Sequence, residues 1–235
     1  MSRLDAAYLS AVNRGDLVRA GEMVAAAAND AGFVVGPVYH GTKDMSGFTV
    51  FRQSDDIERA NVGFHFGSLE QAKYRVHGDG NEAGAWRLIP AFLSGNFAPM
   101  ADVGGFEPHA IADWMVEQKW CSKRRRDAVY ADTESIYTTN ELMAVYEKFI
   151  YPEFSKRGYD GFFYDNEVEG AGTSYCVFSN TQIKLAEPVV YDDNGEIVPL
   201  TRRFLSGCDI RGDASPRLAG KNQSPVRRNA RNLLH

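Results

Sequence analysis

The residues Phe33 to Val38 form an apolar run that closes on Tyr39-His40-Gly41-Thr42, with aromatics following at Phe48 and Phe51. A short apolar run bounded by turn residues reads as a buried strand, and this one would carry a histidine and a glycine side by side at its end. On its own, His40-Gly41-Thr42 reads first as a histidine capping a strand above a tight turn. Two further blocks narrow the choice. Gly63-Phe64-His65-Phe66-Gly67-Ser68 alternates like a strand and then shifts to helical spacing through Ala72-Lys73-Tyr74. Gly161-Phe162-Phe163-Tyr164 leads into Asn166-Glu167-Val168-Glu169-Gly170, then Ser174-Tyr175-Cys176-Val177-Phe178 and Gln182-Ile183-Lys184.

Around these blocks the pattern predicts an α+β fold, in which short strands alternate with helices that join nonadjacent strands. Leu4, Tyr8, Leu9 and Val12 form one helical stripe and Leu17, Ala20, Val24 and Ala27 or Ala28 a second. Gly15 and Asp16 supply the stop and the next N-cap between them. Leu88 to Leu93 reads as a strand, the segment from His109 to Phe154 as helix-rich, and Asn194-Gly195 as a hairpin turn. Lys123-Arg124-Arg125-Arg126 reads as a solvated turn between helices, with contact to an acceptor as its alternative.

Charge divides the chain. From Thr201 onward there are eight Arg or Lys and two Asp, a net of +6, while the first 200 residues hold 18 basic and 29 acidic side chains. The basic segment has little to bury and reads as a mobile tail. Either it contacts nucleic acid or an acidic partner through counterion release, or it is a solvated end lying on the acidic body. At 235 residues and 44% hydrophobic, the chain suits one sizeable core with appendages. Cys121, Cys176 and Cys208 show no paired spacing and read as reduced thiols in a cytosol, not as a disulfide framework or zinc site. No apolar stretch approaches the roughly 20 residues that span a bilayer. No glycine-rich dinucleotide loop, phosphate-binding loop or zinc signature offers a competing site.

In order and spacing, the three blocks resemble the H-Y-E group of ADP-ribosyltransferases, to which diphtheria toxin and the poly(ADP-ribose) polymerases belong. The nearest likeness is to the transferase domains of phage and prophage polyvalent proteins, and it covers roughly residues 36 to 190. The resemblance implies two small packed mixed β-sheets with flanking helices, here preceded by an N-terminal helical hairpin at residues 1–32. It puts the catalytic domain at 33–200 and leaves 201–235 as the basic tail. It also implies NAD as substrate, a macromolecular acceptor that is protein or nucleic acid, no metal and no membrane. A phage-encoded enzyme of this kind would act in the bacterial host cytosol.

By the same resemblance, His40 hydrogen-bonds the adenosine ribose, the Gly41 backbone holds the nicotinamide carboxamide and Thr42 assists at the ribose. Tyr39, Phe66 and Ser68 flank that binding surface. His65 stands where the polymerases carry a tyrosine, and Tyr74 aligns with the tyrosine that sandwiches nicotinamide. Read from the residues alone, His65 is also an inward strand histidine satisfied by a backbone carbonyl, and Tyr74 an exposed helix tyrosine.

The departure is at the third block. Polymerases place a glutamate directly before the Tyr-x-Val-aromatic strand, where this chain has Ser174. A carboxylate must then reach in from elsewhere to stabilise the oxocarbenium-like state. Glu169 is the first candidate, Glu167 the second, and Ser174 itself remains in the site. Two solvated loop glutamates are the plain alternative. With water as acceptor the same residues would make an NAD glycohydrolase, and without a carboxylate the chain would be a noncatalytic phage-associated module with a vestigial NAD cleft.

Overall fold

The computed structural model describes residues 1–78, 84–166 and 168–213. Two helices open the chain, α1 (Arg3–Asn13) and α2 (Leu17–Asp30), each started by a capping side chain: Ser2 accepts from the Asp5 amide and Asp16 from the Arg19 amide. Their apolar stripes meet in part as the sequence pattern predicts, through Tyr8, Ala20, Val24 and Ala28, whereas Leu4 and Leu17 at the helix starts are exposed. Tyr8, Ala11, Ala20, Val24 and Ala28 bury against one another and against Phe33, Phe92 and Leu200.

Seven strands follow among the described residues: β1 (Val35–Thr42), β2 (Phe64–Phe66), β3 (Arg87–Leu93), β4 (Phe97–Pro99), β5 (Gly161–Asp165), β6 (Thr173–Val177) and β7 (Ile183–Leu185). They form two small sheets. The first is antiparallel in the order β1-β3-β7, with His40 opposite Ile89 and Thr42 opposite Arg87. The second is mixed, β2-β6-β5-β4, with β4 and β5 parallel. The facing sides of the two sheets enclose Phe51, Phe66, Ile89, Leu93, Val177 and Ile183.

Strand side chains alternate between faces, so Phe64 and Phe66 point toward the first sheet while His65 points away from it. That outer face of the second sheet, with Phe162, Tyr164 and Cys176, packs on a helical layer through Ile111, Met115, Tyr146, Ile150 and Phe154. The layer comprises α4 (Pro108–Glu117), α5 (Lys123–Thr133), α6 (Thr139–Val145) and α7 (Tyr151–Ser155). Helix α3 (Leu69–His77), between β2 and β3, crosses β1 instead.

Two segments differ from the sequence expectation. Lys123-Arg124-Arg125-Arg126 forms the first turn of α5, capped by Ser122, rather than a solvated turn. Only Val129 of this helix is buried, so no apolar stripe announces it. Arg125 pairs with Glu153 at 3.1 Å and Arg126 with Asp113 and Asp127, which ties the basic run into the helical layer.

The basic C-terminal segment is anchored through Asp213; residues 214–235 lie outside the described residues. Ile210 enters the core between the sheets, and the buried Lys184 ammonium donates to the Gly207 and Asp209 carbonyls at 2.9 and 2.7 Å. Arg203, at the end of α8 (Leu200–Arg203), is 1% exposed and donates to the Leu185 and Glu187 carbonyls, both at 2.9 Å. One buried guanidinium therefore joins this segment to the end of β7. Replacing it leaves two buried carbonyls without a donor, so Arg203→Leu is expected to lower unfolding free energy by about 2–4 kcal/mol in urea titrations. A loss within error of zero would show that α8 is not held this way.

Candidate active site

Among the described residues, the two sheets meet at a single backbone bridge. The Tyr39 amide donates to the Gly67 carbonyl at 2.8 Å, and the Gly67 amide to the Tyr39 carbonyl at 3.0 Å. His40 follows directly on β1, and its Nδ1 lies 2.9 Å from the His65 carbonyl. Its ring packs against Phe51 and Phe66, with centroids 5.0 and 5.5 Å away. Burial holds the His40 imidazole below its ordinary pKa, partly offset by the His65 carbonyl, with the Arg75 and Arg87 charges acting in the same direction as burial.

Gly41 faces α3, where a Cβ would collide with the Ala72 carbonyl and press on Val76. Close packing against the helix therefore requires glycine here. Thr42 accepts from the Asp44 amide at 3.1 Å, and Ser68 is the N-cap of α3, completing a capping box with Gln71. Tyr74 lies on the exposed side of that helix.

The two imidazoles do not meet ring to ring. His65 sits on the outer face of β2, near Phe106, Phe162 and Tyr164, with Nδ1 3.2 Å from the Tyr164 hydroxyl and Nε2 3.4 Å from Asn61 Oδ1. Burial, followed by the His40 and Arg75 charges, pushes its pKa down to about 3. It is a neutral imidazole whose proton position depends on these two partners. The Tyr164 phenol is pushed up by burial and by the Glu169 charge, and Tyr164 stands opposite Ser174 on the neighbouring strand.

Ser174, on β6 opposite Tyr164, is 3% exposed. Its hydroxyl accepts from Asn166 Nδ2 at 3.1 Å and donates to Gln71 Oε1 at 3.3 Å. The same Asn166 amide donates to Glu169 Oε2 at 3.0 Å. One amide thus brings the Glu169 carboxylate to the strand position that lacks an acid. Asn166 Oδ1 accepts from the Glu169 and Val168 amides at 2.9 and 3.2 Å, a local turn that folds the 166–172 loop back on itself. Glu169 Oε1 lies 3.7 Å from Arg75 on α3. Glu167 lies outside the described residues.

Sequence reasoning missed Gln71 and Asn166. Gln71 carried only the signal of a capping box, Ser68-x-x-Gln71, while Asn166 stood in the Asn166-x-x-Glu169-Gly170 pattern that resembles the phage-type domains but was given no role in the site. Both are buried, and both hold the third block in place. A surface pocket of 440 Å³ among Ser94, Tyr151, Asp160 and Phe178 lies at the opposite end of β6 from Ser174 and shares no residue with this cluster. Among the described residues, no group of three or more His, Cys, Asp or Glu side chains is placed to hold a metal ion, and no helix is long and apolar enough to cross a membrane.

The histidine of the first strand, the second strand running into α3, and the third block thus converge at one junction. The family model for the ADP-ribosyltransferase of polyvalent proteins matches residues 35–190, and the chain belongs to that family. Neither the curated proteins nor the solved structures yield a match.

The enclosure of His65 has a pH signature. In an unfolded chain histidine titrates near 6.5, so between that value and about 3 the unfolded state binds a proton that the folded state refuses. Stability contributed by the neutral ring is therefore present at pH 7.5 and lost as pH falls. From pH 7.5 to 5.0 the His65 share of that loss is about 2 kcal/mol. Urea titrations at both values should show a smaller loss in His65→Gln than in the unaltered chain; equal losses would mean that His65 is not the group responsible.

Proposed function

We propose that this chain is an NAD-dependent ADP-ribosyltransferase that breaks the bond between nicotinamide and its ribose and passes ADP-ribose to a macromolecular acceptor. The single observation that carries this is the Glu169 carboxylate hydrogen-bonded to the same Asn166 amide as Ser174. A negative charge supplied there is what the oxocarbenium-like transition state needs. The C1′–N bond breaks heterolytically, and its electron pair goes to the pyridine nitrogen, so nicotinamide leaves neutral and needs no acid. A lone pair of the acceptor then closes on C1′, and the acceptor's proton leaves to solvent or to a nearby base.

In this proposal His40 and the Gly41 backbone bind the dinucleotide, with Thr42, Ser68 and Tyr74 around them, and Glu169 is the catalytic carboxylate. His65, neutral and half-buried, shapes the pocket wall instead of titrating during turnover. The catalytic unit extends from 33 past residue 200 to at least Ile210, which packs between its sheets, and membership of a family named for polyvalent proteins supports a phage or prophage origin with action in the bacterial host cytosol.

Single-turnover release of nicotinamide from labelled NAD tests the assignment. Removing a preorganised electrostatic partner typically costs on the order of 100 to 1,000-fold in rate, so Glu169→Gln should bind NAD yet turn over that much more slowly. His40→Ala should lose affinity by calorimetry while remaining folded. Full turnover by Glu169→Gln together with none by Ser174→Ala would move the chemistry to the serine. Label found on protease- or nuclease-sensitive material identifies the acceptor class, whereas free ADP-ribose alone would make water the acceptor and the chain a glycohydrolase.

A further inference from the structure

Gln71 and Asn166 are 2% and 3% exposed, and each side-chain amide has a full set of four hydrogen bonds. Gln71 Oε1 accepts from the Ser68 amide at 2.7 Å and from Ser174 Oγ at 3.3 Å. Its Nε2 donates to the Gly170 carbonyl at 2.8 Å and to the Gly172 carbonyl at 3.1 Å. Gly170 is the residue directly after Glu169. The loop is thus gripped from both sides: Asn166 holds the Glu169 amide and carboxylate, and Gln71 holds the backbone just beyond them.

We propose that Gln71 is a positioning residue for catalysis, acting through Glu169 by fastening the 170–172 backbone to α3. This rests on the reading of Glu169 as the catalytic carboxylate. A helix that only packed on the loop could do so with an apolar side chain. An amide whose two donors take two loop carbonyls while its oxygen takes the Ser174 hydroxyl fixes where the loop stands relative to β6. Gly67 makes room for this, since a Cβ there would collide with Gln71 Oε1 and crowd Ser174 Oγ. The direction of the Glu169 carboxylate is therefore set by α3 and β6 together, although Glu169 lies on neither.

Misplacement of a reacting group by about 1 Å can lower a rate by about 100-fold. Gln71→Met keeps the volume but removes all four bonds. Gln71→Glu keeps the capping box and the Ser68 contact, and loses the two donors to Gly170 and Gly172, so it serves should Gln71→Met fail to fold. The expected result in either variant is a 10- to 100-fold fall in single-turnover nicotinamide release at saturating NAD, with KM changed by less than about threefold. Because Gln71 acts through Glu169, adding either substitution to Glu169→Gln should slow turnover no further. A merely structural role predicts neither the split between turnover and KM nor this non-additivity.

Unchanged turnover in both Gln71 variants, or losses that multiply in the double variant, would overturn the positioning role while leaving the Glu169 assignment standing. Unchanged turnover in Glu169→Gln alone would overturn that assignment and the positioning role with it.

Discussion

The junction of the two sheets depends on one constraint, that Gly67 carries no side chain. The two hydrogen bonds between Tyr39 and Gly67 join β1 to the end of β2, and at the same point Gln71 Oε1 and Ser174 Oγ press close to the Gly67 Cα. A Cβ at this position would displace the Gln71 amide from its Ser68 and Ser174 partners. His40 is the next residue after the bridge on one strand and Ser68 the next on the other. The three blocks, far apart in the chain, thus converge where backbone meets backbone, and glycine sets how tightly they close.

From that point the polar groups run as a connected series. His40 bonds the His65 carbonyl, the His65 ring bonds Tyr164, Tyr164 stands opposite Ser174 on the neighbouring strand, and Ser174 bonds both Gln71 and Asn166. Buried polar groups are expensive when unpaired and specific when paired. This series is therefore less a source of net stability than a reason for the sheets, α3 and the loop to adopt one arrangement. The apolar cores on either side of the second sheet make the fold stable, and the polar seam sets its register at the site.

What the sequence made legible follows the range of the interactions involved. Strands β1, β3, β5 and β6 appear as apolar runs, and the hairpin as two stripes broken at Gly15, because side-chain periodicity is local. Three blocks in order were enough to bring His40, His65 and Ser174 into one neighbourhood. Gln71 was not legible, because its partners Gly170, Gly172 and Ser174 are about a hundred residues away and a capping box already accounts for a glutamine there. Helix α5 escaped notice because its side chains make ion pairs instead of an apolar stripe. The segment from Thr201 to Asp213 looked mobile because composition counts Arg203 as polar surface, whereas Arg203 is buried with backbone carbonyls as partners and Lys184 of β7 donates to two carbonyls of the segment.

Glu169 has two partners of opposite kinds, and their magnitudes decide which one directs it. Arg75 lies 3.7 Å from Oε1 with its side chain 72% exposed, and such a surface ion pair contributes about 0–1 kcal/mol and weakens with salt. Asn166 lies 3.0 Å from Oε2 within a buried cluster, and a hydrogen bond to a charged group there contributes about 1.5–3 kcal/mol. Orientation thus belongs to the amide, and the guanidinium acts as a neighbouring charge that can be given up at little cost. In the role proposed for Glu169, a carboxylate facing a developing cation, this is the useful order of strengths. The group is aimed by a neutral donor that leaves its charge intact, and it is balanced by a cation too weakly held to compete with the substrate for that charge.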